Sequence, residues 1–161
     1  MRAPRRVLDL KAARLAAGAL LARRAWTRAE LTARLRRRGA PPDVATDVAA
    51  DLERRGHLDD AAFARHWVTT RAARGYGAAR LRAELRARGV ASGLIDAAVS
   101  ALEGSDQLEE ARRLARRRMP ALQRTAPLKA ASRLRDHLLR RGFPGGIVAQ
   151  VVREAVRVPL D

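Results

Sequence analysis

The sequence contains no cysteine, few aromatic residues and no long apolar run. Without cysteine, disulfides, thiolate metal sites and thiol catalysis are excluded. Aromatic residues make up only 3% of the 161 residues, and β-branched residues form no long runs. A core made mainly of Ala and Leu fits thin helical layers better than one deep globular centre, so we expect an all-α protein.

The longest uncharged apolar stretch near the start runs from Leu15 to Ala22 and is too short to span a bilayer. Arg23 and Arg24 follow it, where a signal peptide would need small residues for cleavage. We therefore expect neither a signal peptide nor a membrane anchor, and a cytoplasmic location.

Positive charge far exceeds negative charge. The chain has 34 Lys and Arg against 17 Asp and Glu, a formal charge of +17, and Lys11 and Lys129 are its only lysines. Such a chain attracts polyanions, nucleic acid first and an acidic membrane second. Arginine suits phosphate because its planar fork donates two parallel hydrogen bonds. A high-GC genome also enriches Arg and Ala, so composition alone leaves open how much of the excess is functional.

Helix signals recur along the chain. Thr27 followed by Glu30 has the pattern of a capping box, which predicts a helix start, and Gly39 predicts its end. Pro41 and Pro42 then open the next predicted helix. Farther on, Pro120 predicts the end of an Arg-rich helix.

Three glycines, Gly39, Gly89 and Gly142, set a common register. Leucine stands eight and four residues before each of them, an arginine immediately before, and an apolar residue five after. This register predicts a repeating three-helix module of about 50 residues. We assign residues 1–11 to a flexible basic arm and residues 12–56, 57–104 and 105–158 to three tandem repeats. Stacked repeats form an elongated, curved array, whose handedness the sequence leaves open.

The sequence carries no convincing catalytic or metal-binding constellation. Asp59 and Asp60 are adjacent carboxylates, but no third ligand stands at metal spacing, and an Asp at a helix start is explained by capping. The Gly75–Gly77 segment lacks both phosphate-loop patterns, and no nucleophile, base and orienting group occur together. We expect no enzyme activity, cofactor or metal. A nuclease is the least favoured alternative.

Arginines recur on the comparable helix of each repeat, and Tyr76 lies beside Arg74 on a predicted connection, where it could stack on an unpaired base. A solvated helix face explains any single arginine equally well, but repetition favours a basic surface that follows a phosphate backbone. The predicted nucleic-acid or filament contacts are Arg36, Arg37, Arg38, Arg71, Arg74, Tyr76, Arg80, Arg82, Arg86, Arg88, Arg133, Arg140 and Arg141.

The chain resembles the RecX family of regulatory proteins over about residues 12–156. The resemblance rests on the Thr27 to Gly39 helix, on the segment from Gly56 to Ala64, on Arg71 to Val90 and on Leu138 to Phe143. Within these segments we expect structural roles for the family-motif residues Gly39, Leu58, Asp59, Asp60, Phe63, Gly77, Gly89, Gly142 and Phe143.

The resemblance implies a partner, the RecA recombinase filament on single-stranded DNA, with double-stranded DNA left open. RecX-like proteins lie in the helical groove of that filament and dampen its ATPase, strand-exchange and co-protease activities. The expectation is therefore a monomeric, non-enzymatic negative regulator. The alternative is a general basic architectural protein that binds nucleic acid without a RecA partner.

Overall fold

The computed structural model describes residues 7–102 and 105–157. Over those ranges it contains nine α-helices and no strand, which confirms the all-α class. The helices are α1 (Leu10–Leu21), α2 (Arg28–Arg37), α3 (Pro42–Arg54), α4 (Asp60–Ala72), α5 (Ala78–Ala87), α6 (Ser92–Ser100), α7 (Ser105–Leu122), α8 (Pro127–Arg141) and α9 (Gly145–Arg157).

The described chain divides into two compact units by contact. The first unit holds the residues up to Ala64 together with Leu85–Ile95, and the second holds Arg65–Glu84 and the residues from Asp96 onward. The middle three helices therefore contribute residues to both units. The repeat boundaries at 56/57 and 104/105 come from the sequence register and stay a prediction.

In the first unit, α2 begins with the predicted capping box. The Thr27 hydroxyl accepts a hydrogen bond from the Glu30 N–H (3.1 Å), and the Glu30 carboxylate accepts one from the Thr27 N–H (3.4 Å). Leu31 and Leu35 follow at helical spacing and are fully buried. They pack with residues of α1 and α3 into a core that is rich in alanine.

In the second unit, α8 provides the same pair of leucines. Leu134 and Leu138 are fully buried, and Val148 and Val151 of α9 complete the core from the other side. Because small alanines fill many of the remaining core positions, the helices approach one another closely. The expected thin helical layers are thus observed in each unit.

The three register glycines end α2, α5 and α8 as predicted. Their φ angles of 104°, 77° and 90° lie in the left-handed region, which costs a residue with a Cβ about 1–2 kcal/mol. A left-handed residue after the last turn lets its N–H bond to the final carbonyls of the helix. Each glycine thus stops its helix and turns the chain toward the next.

Pro120 does not end α7, so that prediction is wrong. The helix continues to Leu122, with Pro120 inside it. Proline removes one backbone hydrogen bond and crowds the preceding turn, at a cost of about 3 kcal/mol. Leu122 is 3% exposed and packs into the core of the second unit, and burial of a leucine returns about 1.5–3 kcal/mol.

The N-terminal helix begins two residues earlier than the sequence predicted. Asp9 caps α1 by accepting a hydrogen bond from the Ala12 N–H (2.8 Å), so Leu10 and Lys11 are helical. Of the rest of the predicted arm, residues 7–9 are described, with the Leu8 N–H donating to the Gly39 carbonyl (3.0 Å), and residues 1–6 lie outside the described residues. Within the described ranges, none of the helices combines the length and apolarity that crossing a bilayer requires.

Candidate nucleic-acid interface

One contact recurs in both compact units and explains why glycine stands at the register positions. In the first unit, Gly89 lies against the first turn of α2, where an added Cβ would stand 2.4 Å from the Cβ of Ala29. Beside it the Thr27 hydroxyl donates a hydrogen bond to the Arg88 carbonyl (2.6 Å). The end of α5 thus packs on the start of α2. We call this contact the first repeat joint.

The second repeat joint packs the end of α8 on the start of α5 in the second unit. The Gly77 N–H donates to the Arg141 carbonyl (2.8 Å), and the Ala79 N–H donates to the Gly142 carbonyl (3.1 Å). A Cβ on Gly77 would lie 2.4 Å from the Gly142 oxygen, so the two backbones touch. Successive repeats are therefore joined by glycines that permit close backbone approach.

Each joint carries an aromatic ring at the same register position. Trp26 stands thirteen residues before Gly39, and Tyr76 stands thirteen residues before Gly89. Both rings are covered by arginine. The Arg24 guanidinium carbon lies 3.5 Å from the centre of the Trp26 ring, and the one of Arg71 lies 4.3 Å from that of Tyr76.

The Tyr76 ring gathers three guanidiniums in the second unit. Besides Arg71, the guanidinium carbons of Arg80 and Arg141 lie 4.4 and 4.9 Å from the ring centre. Each cation–π contact contributes about 0.5–1 kcal/mol when solvent reaches it. We call Tyr76, these three arginines and Glu84 the Tyr76 cluster.

Glu84 holds two of the three arginines in place. Its carboxylate accepts hydrogen bonds from Arg71 Nε (3.0 Å) and Nη2 (2.5 Å) and from Arg80 Nε (3.0 Å). Trp67 Nε1 donates a further one at 3.0 Å. Partial burial alone would raise the pKa of Glu84, but these bonds outweigh it and hold the pKa below its usual value. One carboxylate therefore orders a cluster that keeps an excess of positive charge.

The structure brings together six of the predicted contact residues. Arg71, Tyr76, Arg80 and Arg141 form the cluster. The backbone carbonyls of Arg74 and Arg140 accept hydrogen bonds from Arg141 Nη1 (3.1 Å) and Arg80 Nη1 (3.2 Å), respectively. The side chains of Arg74 and Arg140 are exposed. The result is a dense patch of arginines around one ring, a suitable surface for phosphates.

The remaining predicted contacts divide into exposed and paired residues. Arg36, Arg37, Arg38 and Arg86 belong to the first unit, Arg133 belongs to the second, and all five are exposed. Arg82 of the second unit pairs with Asp96 (3.5 Å), and Arg88 of the first pairs with Glu30 (2.5 Å). Arg88 thus contributes to the first repeat joint, a role that charge patterning did not predict.

The two adjacent carboxylates both cap helices. The Asp59 carboxylate accepts from the Ala62 N–H (2.9 Å) and caps α4, while the Asp60 carboxylate accepts from the Arg28 N–H (2.9 Å) at the start of α2. Burial, aided by the charges of Glu53 and Asp59, raises the pKa of Asp60. Of the other motif residues, Leu58 and Phe143 are buried and Phe63 is half-buried. No group of three metal-ligating side chains occurs among the described residues.

The half-buried His137 lies close to several arginines. Burial, followed by the positive charges of Arg141, Arg118 and Arg140, lowers the pKa of His137. Three arginines therefore act on one imidazole. Since Arg141 belongs to the Tyr76 cluster and the Arg140 carbonyl accepts a hydrogen bond from Arg80, the positive charge around His137 is continuous with the cluster.

Sequence reasoning did not select Trp26, Arg24 or Glu84 as contact residues. The register contained a signal for the first two, because Arg24 precedes Gly39 by the same fifteen residues that separate Arg74 from Gly89. Glu84 carried a local signal only for Arg80, four residues before it on α5, since its other partners, Arg71 and Trp67, come from α4.

Comparison with known proteins identifies the family. The models of the first, second and third three-helix domains of RecX match residues 13–61, 59–99 and 105–152. The chain belongs to the RecX family. These matches also confirm three tandem three-helix domains, as the glycine register predicted.

Curated relatives and solved structures agree with this assignment. The chain is 41% identical to the regulatory protein RecX of Thermobifida fusca over 84% of this chain and 74% of that protein. It is 42% identical to the RecX of Stenotrophomonas maltophilia over 83% and 81% of the two chains. The crystal structure of RecX from Lactobacillus salivarius superposes with a TM-score of 0.83 at 19% identity, covering 93% of this chain and 98% of that one. This last likeness supports the fold.

Proposed function

We propose that this protein binds the RecA–single-stranded DNA filament in its helical groove and inhibits or modulates the recombinase, ATPase and co-protease activities. The observation that supports this most directly is the Tyr76 cluster on a chain of the RecX family. It offers several guanidiniums on one ordered surface, as a contact with a phosphate-bearing polymer requires. The proposal includes a monomeric protein that acts in the cytoplasm by binding and without catalysis.

Phosphate contacts position a protein on nucleic acid but carry no base sequence. Binding to DNA should therefore be weakly specific and steeply dependent on salt. The log–log slope should be roughly −0.7 for each single-strand phosphate that is neutralised. A flat salt response would contradict the basic-surface interpretation.

The direct test is a titration of the protein into preformed RecA filaments while ATP hydrolysis and strand exchange are measured. We expect inhibition at stoichiometric amounts. An unchanged rate of both ATP hydrolysis and strand exchange would contradict the proposal. DNA binding without an effect on the recombinase would favour the alternative, a general architectural protein.

A matched pair of charge reversals tests the surface itself. Arg74→Glu with Arg140→Glu alters two exposed arginines without removing a side chain that builds the Tyr76 cluster. Arg124→Glu is the control, an exposed arginine between α7 and α8 outside the predicted contact set. We expect inhibition to require about tenfold more of the double variant, since hydrogen bonds to charged groups contribute about 1.5–3 kcal/mol.

A further inference from the structure

The first repeat joint lines an open cavity, two of whose residues, Arg37 and Arg88, belong to the predicted contact set. Its volume is about 480 Å³, within the roughly 300–1,000 Å³ that is typical of sites for small molecules. Its lining includes four arginines, one glutamate and one tryptophan: Arg24, Arg34, Arg37, Arg88, Glu30 and Trp26. We call it the Trp26 cavity.

The single carboxylate of the Trp26 cavity already has several partners. Glu30 accepts the Thr27 N–H in the capping box and pairs with Arg24 (3.2 Å) and Arg88 (2.5 Å). Four guanidiniums thus share one negative charge, so the cavity is strongly positive.

Two of these arginines face the cavity without a carboxylate. Neither Arg34 nor Arg37 has an acidic group within 4.0 Å among the described residues. The Nε atom of Arg34 is buried and makes no hydrogen bond within that part of the chain. A buried donor without a partner costs about 1–3 kcal/mol, and a phosphate in the cavity would offset the positive charge of the guanidinium that carries it.

The second repeat joint has its glutamate at a different register position. Glu84, the carboxylate of the Tyr76 cluster, stands five residues before Gly89, and the residue five before Gly39 is Arg34. Conversely, Arg80 and Glu30 occupy the common position nine residues before those glycines. The same architecture therefore has a glutamate in one joint where the Trp26 cavity has an arginine.

The Trp26 ring holds the Arg24 guanidinium in place before any ligand binds. The Arg24 guanidinium lies 3.5 Å from the ring centre, while the indole N–H donates to the Leu20 carbonyl (3.0 Å). Because Arg24 covers this ring face, a ligand in the cavity would meet guanidinium donors before indole carbon. This arrangement favours an anion over a stacked base.

We propose that the Trp26 cavity is a phosphate-binding site. Guanidinium forks bind phosphate oxygens with paired hydrogen bonds, and Arg34 and Arg37 provide donors that no carboxylate occupies. The phosphate comes either from a nucleic-acid backbone or from a free phosphate or nucleotide. The site is independent of any recombinase, so its test does not depend on the proposed function.

The test measures binding of inorganic phosphate, a nucleoside 5′-monophosphate and an oligothymidylate to the full chain at low ionic strength by calorimetry and NMR. The variants are Arg34→Gln and the more exposed Arg37→Gln, which keeps the experiment informative should the first variant unfold. The control is Arg23→Gln, which removes the same charge beside Arg24 at an exposed position that does not line the cavity.

We expect the two variants to weaken binding of the free phosphates about tenfold or more, against less than about twofold for the control. With the oligonucleotide, we expect a salt slope shallower by about 0.7, which is the loss of one phosphate contact. An effect on the oligonucleotide alone assigns the site to a nucleic-acid backbone, and an effect on the free phosphates alone assigns it to a small ligand. Equal binding by the variants and the control for all three probes would overturn the proposal.

Discussion

Gly89 lies so close to Ala29 that a Cβ atom added to the glycine would stand 2.4 Å from the alanine Cβ. The two residues are 60 positions apart in the chain and belong to the same compact unit. Glycine at this position thus serves two purposes. It accepts a left-handed φ of 77°, and it leaves room for the neighbouring helix.

These two purposes can be separated by substitution. Gly56 has nearly the same φ, 76°, but an added Cβ there meets nothing within 4 Å. We expect Gly56→Ala to cost about 1–2 kcal/mol from backbone strain alone. Gly89→Ala should cost about 1–3 kcal/mol more, because the joint is overpacked. Urea unfolding of both variants measures the difference.

A compensating substitution checks the cause. Ala29→Gly removes the atom that the new methyl group would meet, and on its own it costs up to about 1 kcal/mol in helix propensity. Combined with Gly89→Ala, it should recover the steric part of the loss. Additive effects of the two substitutions would argue against the close contact.

Local features of the fold could be predicted from the sequence, and long-range ones could not. The capping box of Thr27 and Glu30 and the left-handed Gly39 depend on neighbours within a few residues, so the sequence pattern contains their physical cause. Pro120 does not end its helix because the burial of Leu122, a tertiary interaction, offsets the local free-energy cost of a proline within a helix. The glycine register succeeded because repetition supplied three observations of one structural position.

The sequence predicted the candidate site as a list of arginines. It did not predict which of them are exposed and which pair with glutamates. Arg88 and Arg71 pair with glutamates on other helices, and those pairs depend on packing that spacing does not reveal. Tyr76 was identified as an aromatic on a connection beside arginine. Its equivalence with Trp26 follows from the register, but which arginines of each joint pair with a carboxylate depends on where the glutamate stands.

Glu84→Gln should lower stability while leaving binding of polyanions intact or stronger. The carboxylate orders Arg71 and Arg80, so we expect its loss to cost about 1–2 kcal/mol. Removal of a negative charge from the Tyr76 cluster should also tighten oligonucleotide binding at low salt. Glu53→Gln is the control, since its pair with Arg28 is exposed and contributes less than about 1 kcal/mol. If Glu84→Gln lowers stability no more than Glu53→Gln does, the carboxylate of Glu84 does not order the Tyr76 cluster.

The pair of Arg112 and Glu154 predicts an acid-sensitive contact between α7 and α9. Hydrogen bonds from Arg112 and then Gln150 lower the pKa of Glu154 to about 2 from an ordinary value of 4.5. Its stabilising contribution is therefore complete above about pH 4.5 and is lost as the pH falls toward 2. The stability difference between wild type and Glu154→Gln should be constant from pH 7 to 5 and shrink below that range. A difference that stays constant down to pH 3 would contradict the lowered pKa.

His137 provides a probe for a polyanion at the basic surface. Burial and the charges of Arg141, Arg118 and Arg140 lower its pKa, so the unfolded chain takes up a proton near pH 6.5 that the folded chain resists. Stability should therefore fall as the pH drops below about 6.5, and His137→Gln should remove that part of the loss. The measurement is thermal unfolding of both proteins from pH 8 to 5.

A nucleic acid bound beside these arginines would offset their charge, so the pKa of His137 should rise when an oligonucleotide is added. NMR titration of the imidazole with and without oligothymidylate measures the change. At high salt, where phosphate contacts are weakened, the two titrations should coincide. If the pKa does not move at low salt although the oligonucleotide binds, the nucleic acid lies away from α8, and the Tyr76 cluster is not its contact surface.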